Sequence, residues 1–235
     1  MALPLFLLAD DVYEKQVILN EETSRHIIQV LRMQEGAHIQ LTNGKGHLLE
    51  AEIAEANKKR TIVKIIKDQF IPDTNKRITM AISPIKNASR FEWFLEKATE
   101  ICVNEIIPLI CQRTEKEKLR TSRLQQILVS AMLQSRQVWL PDLHEPTTFS
   151  QLMEKAVYEK KYIAHCEDAL KSNLANESFS NSDSVLILIG PEGDFTPAEI
   201  SQAQDKGFIP VTLGENRLRT ETAGVVAATL LRLNQ

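Results

Sequence analysis

Apolar positions change their rhythm along this chain near residue 70. Before it they come in short alternating runs. Residues 3–8 are apolar, Leu49, Ala51 and Ile53 alternate with polar neighbours, and residues 61–67 continue the alternation, so strands are predicted. Between them residues 22–32 carry helical spacing, with Ile27, Val30 and Leu31 inward and Thr23 or Ser24 as cap. Asn43-Gly44 predicts a hairpin with a type I′ turn, and residues 57–60 a second turn. Residues 1–72 therefore read as a β-rich domain, a small barrel or meander.

Beyond a turn-rich linker at 68–76, holding Pro72, Asp73 and Asn75, compact apolar runs alternate with helical spacing. Residues 78–82, 105–110, 162–166, 185–189 and 211–213 read as strands. Phe91, Phe94, Leu95, Ala98 and Cys102 mark one helix. Residues 122–138 form another, with Ser122 and Gln125 as capping box and Leu124, Ile127, Leu128 and Ala131 inward. Residues 149–159 form a third, and 168–183 a polar surface excursion. The pattern predicts an α/β domain over 73–235 with five or six mostly parallel strands.

Two stretches organise that domain. Residues 185–189 hold no polar side chain, as in a strand buried on both faces, and Gly190 and Gly193 free the backbone beyond it for a tight turn or a close approach. Thr196-Pro197-Ala198-Glu199 then starts a helix as N-cap, first residue and capping-box acid. The second stretch repeats the plan: residues 211–213 end at Gly214, and Ala223, Val226, Ala227 and Leu230 form a helical stripe. Each loop alone reads equally well as an ordinary connection. Glu192 and Asp194 stand where a pyrophosphate cradle would avoid negative charge, while Arg217, Arg219, Thr220, Glu221 and Thr222 crowd a helix entrance. Acids on one loop and arginines on the other favour a polar, partly cationic ligand.

Composition narrows the picture. The 235 residues, 43% hydrophobic and 25% charged, match one or two globular domains. Residues 3–9 are apolar but lack the basic flank of a secretory signal, and no run approaches membrane-spanning length. Cys102, Cys111 and Cys166 lack metal spacing and read as buried thiols in a reducing, cytoplasmic setting. A net charge of −3 counts against a uniformly basic nucleic-acid face. Local clusters remain: Arg113, Lys116, Lys118, Arg120 and Arg123; Lys86 and Arg90; Arg217 and Arg219; and Arg25, His26 and Arg32 on the first helix. Taken alone, the first of these is better read as a solvated loop and helix start, and a solvated helix face explains the last equally well. The fingerprints of dinucleotide and P-loop sites and of a G-x-S-x-G hydrolase are missing, and the five histidines include no pair at ligand spacing.

GPEGDF, followed at this distance by LGENRLRTETA, resembles the paired signature of the 16S ribosomal RNA uracil-N3 methyltransferases of the SPOUT superfamily. The likeness is most specific over 189–195 and 213–224 and weak over the first seventy or so residues. It implies a PUA-like RNA-binding domain over 1–72 and, over 73–235, a SPOUT methyltransferase domain ending in a deep trefoil knot. The implied activity is S-adenosylmethionine-dependent methylation of N3 of a specific 16S rRNA uridine, within the assembled small subunit. The implied assembly is a homodimer, to which the apolar stripe of residues 223–233 contributes; neither metal nor membrane is implied. The resemblance makes His165, Cys166, Leu188, Ile189, Gly190, Pro191, Glu192 and Gly193 donor-binding, with Leu213, Gly214, Asn216, Leu218, Arg219, Thr220, Thr222 and Ala223. Arg219, Glu221 and Arg136 are the expected catalytic residues. Arg25, His26, Arg32, Lys86, Arg90, Arg113, Arg120, Arg123, Gln134 and Arg136 are the expected RNA contacts. The chain departs from the family in AMLQSRQ (131–137), where Leu133 replaces the usual Glu, and at Asp194, where Gly is common. The intact RTETA run argues against an RNA-binding protein that has lost the chemistry.

Overall fold

The computed structural model describes residues 3–8, 15–73, 76–116, 118–180 and 183–233. The chain forms two compact units, residues 1–73 with 132–140, and residues 74–131 with 141–235. The stretch Met132–Leu140, expected in the second domain, thus belongs to the first.

In the first unit β1 (Leu5–Leu7), β2 (Gln16–Ile18), β3 (His38–Thr42), β4 (His47–Glu55) and β5 (Ile62–Phe70) form one sheet in the order β1-β3-β4-β5-β2. All pairings are antiparallel except β1 with β3, and among the described residues β1 and β2 do not pair, so the expected barrel or meander is a half-barrel built on a β3-β4-β5 meander. Alternation along β3, β4 and β5 drives Ile39, Leu41, Leu49, Ala51, Ile53 and Val63 into one core. The short strand β2 escaped the sequence pattern, and β5 runs to Phe70, inside the predicted linker; residues 74–75 of that linker lie outside the described residues.

Local details differ too. Helix α1 (Glu21–Arg25) is capped by Asn20, whose side chain accepts from Thr23 N at 2.8 Å. Ser24, an expected cap, is instead buried, donating to Leu19 O and accepting from Thr61 N. The helix continues as a π-turn, His26–Val30, which breaks the 3.6-residue period. Hence Ile27 is buried while Val30 and Leu31 are 65% and 40% exposed. The β3–β4 connection is longer than a two-residue I′ turn. Gly44 and Gly46 take φ of 71° and 95°, and the Asn43 side chain accepts from Lys45 N and His47 N.

The second unit contains β6 (Arg77–Ile82), α2 (Ala88–Glu100), β7 (Glu105–Ile110), α3 (Thr121–Gln134) as far as Ala131, β8 (Asp142–Leu143), β9 (Thr147–Thr148) and α4 (Phe149–Lys155). After these come β10 (Lys160–Ala164), β11 (Ser172–Asn173), β12 (Ser184–Ile189), α5 (Pro197–Asp205), β13 (Ile209–Thr212) and α6 (Thr220–Leu233). Among the described residues the sheet has eight strands rather than five or six, ordered β11-β13-β10-β12-β6-β7-β8 with β9 beside β7, and all its pairings are parallel. Residues 185–189 of central β12 are buried, which is why they carry no polar side chain. The excursion at 168–183 is partly structural, since it holds β11 and buries Leu174 and Phe179.

Helix α5 starts as expected: Thr196 and Glu199 form a full capping box. Helix α3 does not. Arg120 O accepts from Arg123 N and Leu124 N, so Ser122 lies inside the helix, which stops at Gln134. Helix α4 ends at Lys155, and α2 ends at Glu100, leaving Cys102 with φ of 64°. Of the three cysteines only Cys111 is buried, which pushes its thiol pKa up; Cys102 is half-buried and Cys166 exposed. Helix α6 buries Thr220, Glu221, Gly224, Ala227, Ala228 and Leu231, leaving Ala223, Val226 and Leu230 of the expected stripe half-buried. Gly224 sets this face: a Cβ there would stand 2.6 Å from Phe94 and 2.8 Å from Ile82. No helix among the described residues is long and apolar enough to cross a membrane.

Candidate active site

Sheet register brings the key strand ends level. Ala164 pairs with Ile189 and Val211, and Ile189 pairs with Ile82. His165, Gly190 and Ser83 therefore leave the sheet along one carboxyl edge, with β13 running one residue further to Thr212, and such edges are where open α/β sheets bind ligands.

Two adjoining cavities open at this edge. The first, about 430 Å³, lies between the β12–α5 loop and the start of α6, with Arg90, Glu192, Asp194, Arg217, Arg219 and Glu221 in its wall. The second, about 330 Å³, is lined by His165, Lys171, Leu213, Gly214 and Asn216. Ala164, Cys166, Arg217, Leu218 and Ala223 line both, so the two adjoin, and each is within the usual range for ligand sites.

The loops hold their shape through backbone contacts. Gly190 is favoured by tight packing rather than by a left-handed turn, because a Cβ would lie 3.1 Å from the Phe195 ring. The residue that does take the left-handed conformation in this loop is Asp194, with φ of 63°. Arg113 Nη1 donates to Gly193 O at 2.7 Å and to Phe195 O at 3.4 Å. In the second loop Gly214 has φ of 134°, which an L side chain resists, and its carbonyl accepts from Thr212 Oγ1 at 2.7 Å.

Charges of both signs meet in the first cavity. Glu221 is nearly buried in the first turn of α6, where a carboxylate suits the helix dipole, and its Oε1 lies 3.6 Å from Arg90 Nε. Glu192 Oε1 accepts from Lys86 N at 3.0 Å. His165 is 7% exposed, and neither ring nitrogen has a hydrogen-bond partner among the described residues. Burial, then Lys171, holds the imidazole pKa below its ordinary value against the opposing pull of Asp194 and Glu167. A buried imidazole with both nitrogens unpartnered is costly unless a ligand or water completes it.

Comparison with known proteins supplies the lineage. The family described as RNA methyltransferase domain matches residues 72–232, and RNA methyltransferase PUA domain matches residues 19–66. Ribosomal RNA small subunit methyltransferase E of Synechocystis sp. is 30% identical over 233 residues, 97% of this chain and 76% of the relative. This chain belongs to that methyltransferase E family. The crystal structure of the Neisseria gonorrhoeae methyltransferase E bound to S-adenosyl methionine superposes with a TM-score of 0.85 at 30% identity, covering 97% and 95% of the two chains. A probable rRNA-methyltransferase from Porphyromonas gingivalis superposes with a TM-score of 0.90 at 36% identity, covering 96% and 95%.

Against this methyltransferase frame, the expected donor residues divide. His165, Cys166, Ile189, Gly190, Pro191, Glu192, Leu213, Gly214, Asn216, Leu218, Arg219, Thr220 and Ala223 line one or both cavities. Leu188, Gly193 and Thr222 line neither: Leu188 points into the core, and Gly193 offers its carbonyl to Arg113. Of the expected catalytic residues, Arg219 and Glu221 are in the first cavity. Arg136 lines neither; it has φ of 59° and donates to Gln40 Oε1 at 2.9 Å in the first unit, where Gln134 is also exposed.

Several expected RNA contacts are already engaged. Arg123 forms a two-pronged pair with Glu92 at 2.5 and 2.7 Å, Lys86 pairs with Glu115, and Arg25 with Glu21. The His26 ring meets Phe6 edge-on at 5.8 Å. Arg32, with φ of 54°, and Arg120 are exposed. Arg90 is the notable reassignment, since it lines the first cavity beside Glu221. Sequence reasoning missed Ala164 and Lys171 as cavity walls; Arg217 and Asp194, singled out there as ligand-favouring loop charges but not counted among the donor-binding residues, line the first cavity.

Proposed function

We propose that the chain transfers a methyl group from S-adenosylmethionine to N3 of a uridine in 16S ribosomal RNA. One observation carries the reading: in a methyltransferase E chain, the carboxyl-edge cavity mixes carboxylates with arginines and leaves both His165 nitrogens unpartnered. Two adjoining spaces of that size, with Glu192, Asp194 and Glu221 in the wall of the first and residues 211–218 lining the second, fit a donor that is a nucleoside at one end and a cation at the middle. S-adenosylmethionine, when bound, supplies an electrophilic methyl group on a positively charged sulfur. The backbone of residues 213–218 and His165 would hold its base, and Glu192 its ribose hydroxyls or its charge.

The chain's own groups position the acceptor and manage its proton. Glu221, buried beside Arg90, accepts the imide proton of N3. Arg219, exposed at the rim, offsets the negative charge that the deprotonated ring acquires. Holding nitrogen, methyl and sulfur in line is the larger contribution, because orientation removes most of the entropic barrier. Arg136 and Gln134 act in this reading as RNA contacts. The rest of the reading follows the resemblance: a knotted second domain, a homodimer using the half-buried Ala223, Val226 and Leu230 face of α6, a cytoplasmic setting and a substrate inside the small ribosomal subunit.

The test is transfer of isotope-labelled methyl from S-adenosylmethionine to purified small subunits and to naked 16S RNA, with nucleoside mass spectrometry of the product. N3-methyluridine, formed faster on the particle, is expected. Label on another atom, or none, would overturn the assignment.

A further inference from the structure

We propose that Asp194 is a positioning residue for the methyl donor: its carboxylate clasps the end of β10 to the β12–α5 loop and so sets the spacing of the first cavity's walls. The inference rests on reading that cavity as the donor site. Its starting point is a backbone that glycine would adopt more comfortably. Asp194 has φ of 63°, a region that side chains disfavour and that asparagine and aspartate tolerate best. A residue kept there at some strain is held by the contacts of its side chain.

The carboxylate takes two backbone amides. Oδ1 accepts from Phe195 N at 2.8 Å, a local bond within the loop. Oδ2 accepts from Cys166 N, also at 2.8 Å and from 28 residues away. Strand β10 ends at Ala164, so the sheet ladder no longer serves the Cys166 amide, and the carboxylate takes the ladder's place. Bonds from amides to an ionised acceptor are short and strong, which suits a clasp. Asp194 and Cys166 both line the first cavity, and Cys166 also lines the second. On the loop's other flank Arg113 grips Gly193 O, so the segment between Gly190 and Phe195 is pinned from both sides. Between the clasp and the strand sits His165, whose buried ring would shift with Cys166 if the clasp opened.

Two variants separate clasp from backbone. Asp194→Gly keeps the left-handed turn and removes the carboxylate; Asp194→Asn keeps one acceptor and turns an amide group toward the other N–H. Dissociation constants for S-adenosylmethionine and for its product, S-adenosylhomocysteine, are measured by calorimetry. Amide exchange across residues 165–167 is followed in the unliganded protein. Asp194→Gly should weaken both ligands by the same factor, roughly tenfold, and leave kcat at saturating donor within about threefold. Exchange at Cys166 should quicken, with Asp194→Asn intermediate on every measure. Loss of affinity for S-adenosylmethionine alone would overturn the proposal, because the carboxylate would then act as a charge against the sulfonium. Unchanged affinities despite faster exchange would overturn it as well. A wild-type chain that binds neither compound would overturn the donor-site reading and this proposal with it, a failure visible before any variant is made.

Discussion

The hydroxyl of Thr220 donates to the carbonyl of Gly190 at 3.1 Å, joining the first turn of α6 to the end of β12 across 30 residues. Both groups are buried. The bond ties the start of the RTETA run to the GPEGD loop, both in the wall of the first cavity.

Thr220→Val, nearly the same in shape, removes that donor from a buried carbonyl. Stability should fall by about 1–3 kcal/mol, and donor affinity should fall with it, whereas Thr220→Ser should retain most of both. Urea denaturation and calorimetry check the pair. A valine variant with normal stability and affinity would show the bond to be incidental.

Gly224→Ala and Gly214→Ala should fail differently. At Gly224 a Cβ collides with Phe94 and Ile82, so overpacking should destabilise the second unit by about 1–3 kcal/mol. At Gly214 the space is open, but φ is 134°, so the harm is strain in the loop and should register mainly in donor binding. Thermal scans with and without donor distinguish them.

His165 makes stability pH-dependent. Its folded pKa lies below the unfolded value, so on acidification the unfolded chain takes up the proton first. The sign is a loss of stability as pH drops below about 6.5, the ordinary imidazole value, with no contribution above it. His165→Asn should flatten the melting-temperature profile between neutral pH and about pH 5. An unchanged slope would show that other groups carry it.

Arg219→Ala and Arg120→Ala should separate chemistry from RNA grip. Arg120, exposed and outside both cavities, should lower RNA affinity and flatten its salt dependence by up to about 0.9 per lost phosphate contact on duplex. Arg219 should damage single-turnover methylation more than RNA binding. Normal turnover with lost affinity in Arg219→Ala would make it a phosphate anchor instead.

S-adenosylmethionine at about a hundred times its dissociation constant should stabilise the protein by ~2.7 kcal/mol, while NAD and ATP should not. Glu192, Asp194 and Glu221 in the wall would repel a polyphosphate. Equal shifts with ATP would refute the donor assignment.

What the sequence determined by itself is what neighbouring residues decide. Thr196, Pro197 and Glu199 start α5 because a cap, a fixed φ and a returning carboxylate all act within one turn. Residues 185–189 declare a fully buried strand because each lacks a polar group to be satisfied. The two glycine-bearing loops, with acids on one and arginines on the other, could likewise be read as a pair. The tertiary structure decided which side chains meet. Strands as short as β8, β9 and β11 show no period to read, so the sheet is wider than the pattern predicts. The π-turn at His26–Val30 turned Val30 outward, and contact with Phe94 and Ile82 chose the buried face of α6. Arg136 found Gln40, 96 residues away, and Asp194 found the Cys166 amide. Such partnerships depend on sheet register and helix placement, which no window of a few turns contains, because they are set by the packing of the whole unit.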